Sequence, residues 1–138
     1  MNKVPNGTWL ELSYNMDSYR SLYAWQQAHK ALLLALEATD AAWHPRAKAL
    51  FDQINRAVVS VEANVVEGYA LNTVPLFRRH LRIAFGSAAE AETLLRAAGE
   101  RRYLPDPREI LEALGEAMRA IRGLMRKPPV TGSDPSPN

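Results

Sequence analysis

Apolar residues recur at helical spacing along four segments of the chain, and no segment alternates as a half-buried strand would. Four helices with short connections are typical of an antiparallel up-down bundle, so we predict an all-α fold and a four-helix bundle over residues 18–127. The four predicted helices span about residues 19–38, 46–70, 75–98 and 107–125.

The breaks between these segments carry recognisable start signals. Pro45 disfavours helix at the preceding residue and can open the second helix. Thr73, two residues before Pro75, is a candidate cap of the third helix, and Asp106-Pro107 is a start signal for the fourth. These signals place the connections in three short stretches.

Both ends of the chain lack helical periodicity. We predict that residues 1–17 are a loose N-terminal arm and that residues 128–138 are a disordered tail. The arm nevertheless holds apolar side chains that are candidates for docking on the bundle, namely Trp9, Leu10, Leu12 and Tyr14.

The second helix carries a line of polar residues between two apolar arcs. On a helical wheel this line spans about 80°, and it consists of Gln53, Arg56, Ser60, Asn64 and Glu67. One flank is the main apolar face, and the other holds Val59, Ala63 and Val66. Because a helix that is apolar nearly all round is a buried one, we expect the second helix to be covered on more than one side, by its own bundle or by another subunit.

The third helix places a second polar set where it can meet the first. Ser87 and His80 point into its apolar sector, and Glu90 lies at the edge. Since a buried polar group without a partner costs about 1–3 kcal/mol, we predict a cross-helix network of Gln53, Arg56, Ser60, Asn64, Glu67, Ser87 and Glu90, with Arg79 as a further candidate. We favour a structural role for this network, and a catalytic site is the alternative.

Arginines form the remaining functional signal. Arg78, Arg82 and Arg96 lie within about 40° on the far side of the third helix, and Arg79, Arg101 and Arg102 adjoin them. Such a face attracts phosphate backbones, so these six residues are the candidate nucleic-acid contacts. The competing interpretation is a solvated face whose arginine stems cover apolar surface. The charged side of the fourth helix is interpreted as an ordinary solvated face.

Composition excludes several classes of function. The 138-residue chain has no cysteine, so it has no disulfide framework and no thiolate metal site. No stretch approaches the roughly 20 apolar residues of a membrane span, and the N-terminus lacks a signal-peptide core, so we expect a cytoplasmic protein without a membrane partner. The three histidines do not fit a di-iron pattern, and nucleotide-binding and hydrolase motifs are missing. We therefore expect no metal, no cofactor and no catalytic residues.

The stretches QINRAVVSVEANVVEG and LFRRHLRIAFGSAAEAETLL, followed by Tyr103-Leu104, resemble the bacterial four-helix-bundle proteins known as 23S rRNA intervening-sequence proteins. The resemblance covers about residues 20–105 and keeps its spacing across two helices, with valines at 61, 65 and 66 in place of Ile, Ile and Ala. It implies an up-down four-helix bundle that assembles as a homopentamer. The same superfamily includes the accessory protein of diversity-generating retroelements, a basic pentamer that binds nucleic acid and a reverse transcriptase.

Three functions follow from these observations. The first is a non-enzymatic oligomeric protein that binds RNA or DNA through arginine faces repeated round a ring. The second is a protein–protein scaffold or accessory subunit without nucleic-acid affinity. The third is an enzyme, which would need Asn64, Glu67, Ser87 and Glu90 to line a solvent-reachable pocket. We rank them in this order.

Overall fold

A computed structural model describes residues 17–127 of the chain, so the tail and all of the predicted arm except Asp17 lie outside the described residues. The described part has no strand, which confirms the all-α prediction with its four helices. The helices are α1 Tyr23–Ala41, α2 Lys48–Ala70, α3 Val74–Glu100 and α4 Arg108–Arg126. Two short 3-10 turns, Asp17–Ser21 and Pro45–Ala47, precede α1 and α2.

Local chemistry explains where the helices begin. The 3-10 turn before α1 and the extended backbone of Leu22 delay α1 to Tyr23, four residues later than predicted. Pro45 opens the other 3-10 turn, so α2 starts only at Lys48. The Thr73 hydroxyl accepts a hydrogen bond from the backbone N–H of Leu76 at 3.4 Å, as expected of a helix cap.

Each helix packs against two of the others. α2 and α3 are neighbours, as are α3 and α4, α4 and α1, and α1 and α2, while among the described residues the backbones of α1 and α3, and those of α2 and α4, do not approach closely. The helices therefore surround one central core. Its largest fully buried side chains include Phe51, Ile54, Leu81, Leu95, Leu114 and Ile121.

The first helix faces the core with alanines. Four alanines of α1 are almost completely buried, namely Ala24, Ala28, Ala31 and Ala35. The larger side chains of Leu33 and Leu36 remain 54% and 38% exposed. Because alanine allows close backbone approach, α1 lies close against its neighbours, and Leu33 and Leu36 face away from the core.

Gly68, near the end of α2, lies at a close contact between α2 and α3. A Cβ atom built on Gly68 would lie 2.7 Å from the Cβ of His80 and 3.1 Å from Cδ1 of Phe77. Real Cβ atoms are not found at the shorter distance, so any larger residue would push the two helices apart. Gly123 in α4 differs, because nothing lies within 4 Å of its added Cβ.

These two glycines give a matched test of the α2–α3 approach. We expect Gly68→Ala to lower the free energy of unfolding by about 1–3 kcal/mol, since overpacking displaces α3. Gly123→Ala should be neutral or stabilising by up to about 1 kcal/mol, because alanine favours helix and meets no obstacle. Urea unfolding followed by circular dichroism measures both changes, and equal effects of the two substitutions would contradict the close approach.

Candidate functional site

A line of side-chain hydrogen bonds joins α2 to α3, and we call it the α2–α3 polar seam. Gln53 Nε2 donates to Glu90 Oε1 at 2.6 Å, and the hydroxyl oxygens of Ser60 and Ser87 lie 2.7 Å apart. Asn64 Oδ1 lies 2.9 Å from Nδ1 of His80. Along these pairs the residue numbers rise on α2 as they fall on α3.

Asn64 makes hydrogen bonds both within α2 and across to α3. Its amide nitrogen donates to the backbone carbonyl of Ser60 at 2.8 Å and lies 3.1 Å from the Ser60 hydroxyl oxygen. Because Asn64 Oδ1 can only accept, the nitrogen that faces it on His80 is the donor. One asparagine thus fixes a hydroxyl on its own helix and an imidazole on the next.

The structure divides the predicted network. Ser60, Asn64 and Ser87 are partly buried and bonded to one another or to neighbours. The Glu67 side chain is 68% exposed, and its Oε2 lies 3.9 Å from His80 Nδ1. Arg56 and Arg79 are exposed, and no hydrogen bond or ion pair joins either side chain to the rest of the network among the described residues.

The hydrogen bonds also bear on the catalytic alternative. Ser87 bonds to Ser60, whereas Glu90 bonds to Gln53 further along the seam. The histidine of the seam, His80, is hydrogen-bonded to Asn64 and not to a serine hydroxyl. The groups therefore pair across two helices instead of converging as a nucleophile and its base.

The second flank of α2, which the sequence predicts to be covered, is only partly covered by the described residues. Val59 is 47% exposed and Ala63 is exposed, while Val66 is half-buried. The described chain alone therefore does not enclose this flank, in contrast to the main apolar face, where Val58, Val61 and Val65 are fully buried.

A second polar group, which the sequence pattern does not single out, joins α1 to α2. Glu62 Oε1 accepts hydrogen bonds from Trp25 Nε1 at 3.1 Å and from His29 Nδ1 at 2.9 Å. The rings of Trp25 and His29 stack with centroids 4.8 Å apart. Further along the contact between α1 and α2, Asn55 Nδ2 donates to the hydroxyl of the buried Thr39 at 3.0 Å. These bonds fix the alignment of α1 against α2.

The six predicted nucleic-acid contacts are all exposed, but they lie at two ends of the bundle. Eighteen residues separate Arg78 from Arg96, about 27 Å along a helix. Arg96 lies 3.5 Å from Glu92, and the guanidinium of Arg101 lies 5.6 Å from the ring centre of Tyr103. Arg102 has a positive φ of 60° in the turn after α3. The six arginines therefore do not form one continuous face.

Helix α4 completes the arginine group near the start of α3. Arg78 Nε donates to the backbone carbonyl of Met125 at 3.2 Å, and the Arg122 guanidinium lies 4.9 Å from the ring centre of Phe85 on α3. These contacts bring the last turns of α4 beside the first turns of α3. We define the α3–α4 arginine cluster by four exposed residues, Arg78, Arg82, Arg122 and Arg126.

Glu116 of α4 lies towards α1, away from the α3–α4 arginine cluster. Glu116 accepts a hydrogen bond from Arg119 at 2.6 Å and another from the hydroxyl of Tyr23 on α1 at 3.2 Å. The bond from Arg119 holds the pKa of Glu116 below its usual range. The charged side of α4 is thus divided, with the Glu116–Arg119 pair towards Tyr23 of α1 and Arg122 towards Phe85 of α3. Wheel positions alone do not show this division.

Within residues 19–127, no member of the arginine cluster forms an ion pair with a carboxylate. No group of three or more His, Cys, Asp or Glu side chains in the described part could hold a metal ion. Among the same residues, no helix is both long and apolar enough to cross a membrane.

Comparison with protein families decides what kind of chain carries these two features. A family model described as 23S rRNA-intervening sequence protein matches residues 20–125, which include nearly all of the four helices. The chain belongs to the 23S rRNA-intervening sequence protein family. This confirms the resemblance seen in the second and third helices, and both the polar seam and the arginine cluster, apart from Arg126, lie within the matched range. Comparison with curated proteins finds no match.

The seam's contribution can be measured at Asn64. We expect Asn64→Ala to lower the free energy of unfolding by about 1–3 kcal/mol, because the substitution leaves His80 Nδ1 and the Ser60 hydroxyl without this partner. Thermal unfolding followed by circular dichroism gives the change.

Glu67→Gln is the matched control on the same helix. Its side chain is 68% exposed, so the substitution should change stability by no more than about 0.5 kcal/mol. If Asn64→Ala proves as mild as this control, the seam does not stabilise the fold.

Proposed function

We propose that this chain is a cytoplasmic, non-enzymatic homo-oligomer that binds the phosphate backbone of RNA or DNA. The observation that carries the proposal is that Arg78 contacts the end of α4 and Arg122 lies over Phe85 of α3, so the arginine-bearing turns of the two helices are neighbours. Among the described residues none of the four exposed arginines of the α3–α4 arginine cluster pairs with a carboxylate. Net charge is only +2, so attraction for phosphate depends on this local gathering rather than on the whole chain.

The geometry of the cluster suits a backbone more than a base sequence. Arg78 is held by the end of α4, and Arg122 is held over Phe85, so these two side chains are partly ordered before any ligand binds. Arginine forks match phosphate oxygens in pairs, and such contacts position a nucleic acid without reading its bases. We therefore expect affinity with strong salt dependence and little sequence preference.

Assembly would multiply this face. We propose that the four helices form an antiparallel up-down bundle, which the opposed residue numbering along the polar seam supports, and that five copies form a ring. Leu76 and Ile83 on α3 are 38% and 45% exposed, and the exposed Ala63 lies on the outward side of α2. Apolar surface of this kind suits an interface between copies, and an interface between two different faces gives a ring when its rotation closes. Repetition of a weak basic site round a ring raises overall affinity.

A salt titration tests the nucleic-acid proposal. Binding of fluorescent single-stranded RNA and duplex DNA, each of random sequence, is measured by anisotropy from low to physiological salt. In the variant Arg82→Gln/Arg126→Gln, the slope of log affinity against log salt should fall by about 0.7–0.9 for each phosphate contact removed.

The matched control removes two arginines at the other end of the bundle. Arg96→Gln/Arg101→Gln changes net charge equally but lies outside the cluster, and it should leave the slope almost unchanged. An equal loss in both variants would mean attraction to overall charge only. Absence of binding at low salt would favour a protein–protein scaffold instead.

Sedimentation equilibrium tests the ring. The unmodified protein should have about five times the 15.4 kDa mass of one chain, and Ile83→Glu should shift it to smaller species because a charge enters the apolar contact. Thr93→Glu, at an exposed position of the same helix, should leave the mass unchanged. A single-chain mass for the unmodified protein would contradict the assembly.

A further inference from the structure

Three exposed apolar side chains belong to the two helices of the α1–α2 contact. Leu33, Leu36 and Val59 are 54%, 38% and 47% exposed. The Thr39 hydroxyl receives a bond from Asn55 on α2 and donates to the Leu36 carbonyl, so the level of Leu36 lies one turn from that of Asn55. Val59, one turn beyond Asn55, therefore lies at about the level of Leu36 along the two helices. We call these three residues the α1–α2 apolar strip.

An open groove borders the strip on α2. It is lined by Asp52, Asn55, Arg56 and Val59. A groove with an apolar edge suits a short extended peptide, whose alternate side chains point to the same side. The strip and groove together offer the outline of a peptide site that no described residue fills.

The described chain enters the bundle at this same α1–α2 contact. Gln26 Nε2 donates to the carbonyl of Arg20 at 2.9 Å, and the ring of Tyr19 packs edge-on against Trp25 with centroids 5.4 Å apart. The turn Asp17–Ser21 touches both α1 and α2. The residues before Asp17 therefore start from one end of the α1–α2 contact, the contact that carries the strip.

Distances along the chain match the position of the strip. Leu33 and Leu36 lie 8 and 11 residues beyond Trp25, about 12–17 Å along a helix. Leu12 precedes Asp17, where the 3-10 turn begins, by five residues, and an extended chain of that length reaches about 17 Å. Leu10, Leu12 and Tyr14 alternate in sequence, so an extended segment would present all three to one surface.

We propose that residues 10–14 bind the α1–α2 apolar strip of their own chain. Three side chains are too little surface to hold a second copy, because a stable interface buries about 800 Å² on each partner. A tethered segment needs far less contact, since its attachment gives it a millimolar effective concentration at the strip. The arm then covers apolar surface on the α1 side of α2, one turn from Ala63, whereas the other residues assigned to assembly, Leu76 and Ile83, lie on α3.

Disulfide trapping tests this proposal directly, because the natural chain contains no cysteine. The pair Leu12→Cys and Val59→Cys should form an intramolecular disulfide under mild oxidation, seen as a faster monomer band on a non-reducing gel. The control pair Leu12→Cys and Thr93→Cys places the second thiol on an exposed residue of α3 outside the proposed ring contact, and it should cross-link much more slowly. Equal rates for the two pairs, or a disulfide between chains, would overturn the proposal.

A second measurement leaves the arm residues unaltered. The single variant Val59→Cys is labelled with a thiol reagent in the full chain and in a chain that lacks residues 1–16. Removal of the segment should speed labelling about tenfold, as expected for loss of a docked tethered peptide. Labelling that does not change on truncation would contradict the proposal, and labelling that slows with protein concentration instead would identify a second copy as the cover.

Discussion

The close approach of α2 and α3 is the constraint on which the other features depend. Gly68 leaves no room for a Cβ atom, so the helices meet tightly there, and the hydroxyls of Ser60 and Ser87 meet further along. The small side chains of Ser60 and Ser87 bond directly across the two helices, and the longer Gln53 and Glu90 bond at the far end of the seam. Asn64 then adds a polar link to His80 that allows only one alignment. A shift by one turn would leave these groups buried without partners.

That alignment determines where charge lies on the surface. With α3 fixed against α2, its opposite side receives α4, and Arg78 meets the terminal carbonyl of Met125. Cations are stabilised at a helix C-terminus, so this contact is favourable without any acid. The carboxylate of Glu116 is held on the far side by Tyr23. Positive charge therefore collects between α3 and α4 because the packing separates it from negative charge.

Periodicity was sufficient for the four helices and for the idea that polar residues of α2 and α3 meet. It did not identify partners: Arg56 belongs to the polar line on a wheel yet is exposed, whereas His80 is part of the seam. A helical wheel locates the centre of the apolar face of a helix. Which side of that face is covered depends on which helices pack beside it. The same limit explains α1, where Leu33 is exposed, and α4, where Arg122 turns towards Phe85. Both outcomes depend on contacts between segments distant in sequence.

A double-mutant cycle on Ser60 and Ser87 tests the central role of the seam most directly. Each single replacement by alanine leaves the other hydroxyl without its partner at a partly buried position, whereas replacement of both removes donor and acceptor together. The free energies of unfolding should therefore be non-additive, with a coupling of about 0.5–3 kcal/mol and a double variant more stable than the sum of the single effects predicts. Additive effects would show that the two hydroxyls do not hold α2 and α3 in register.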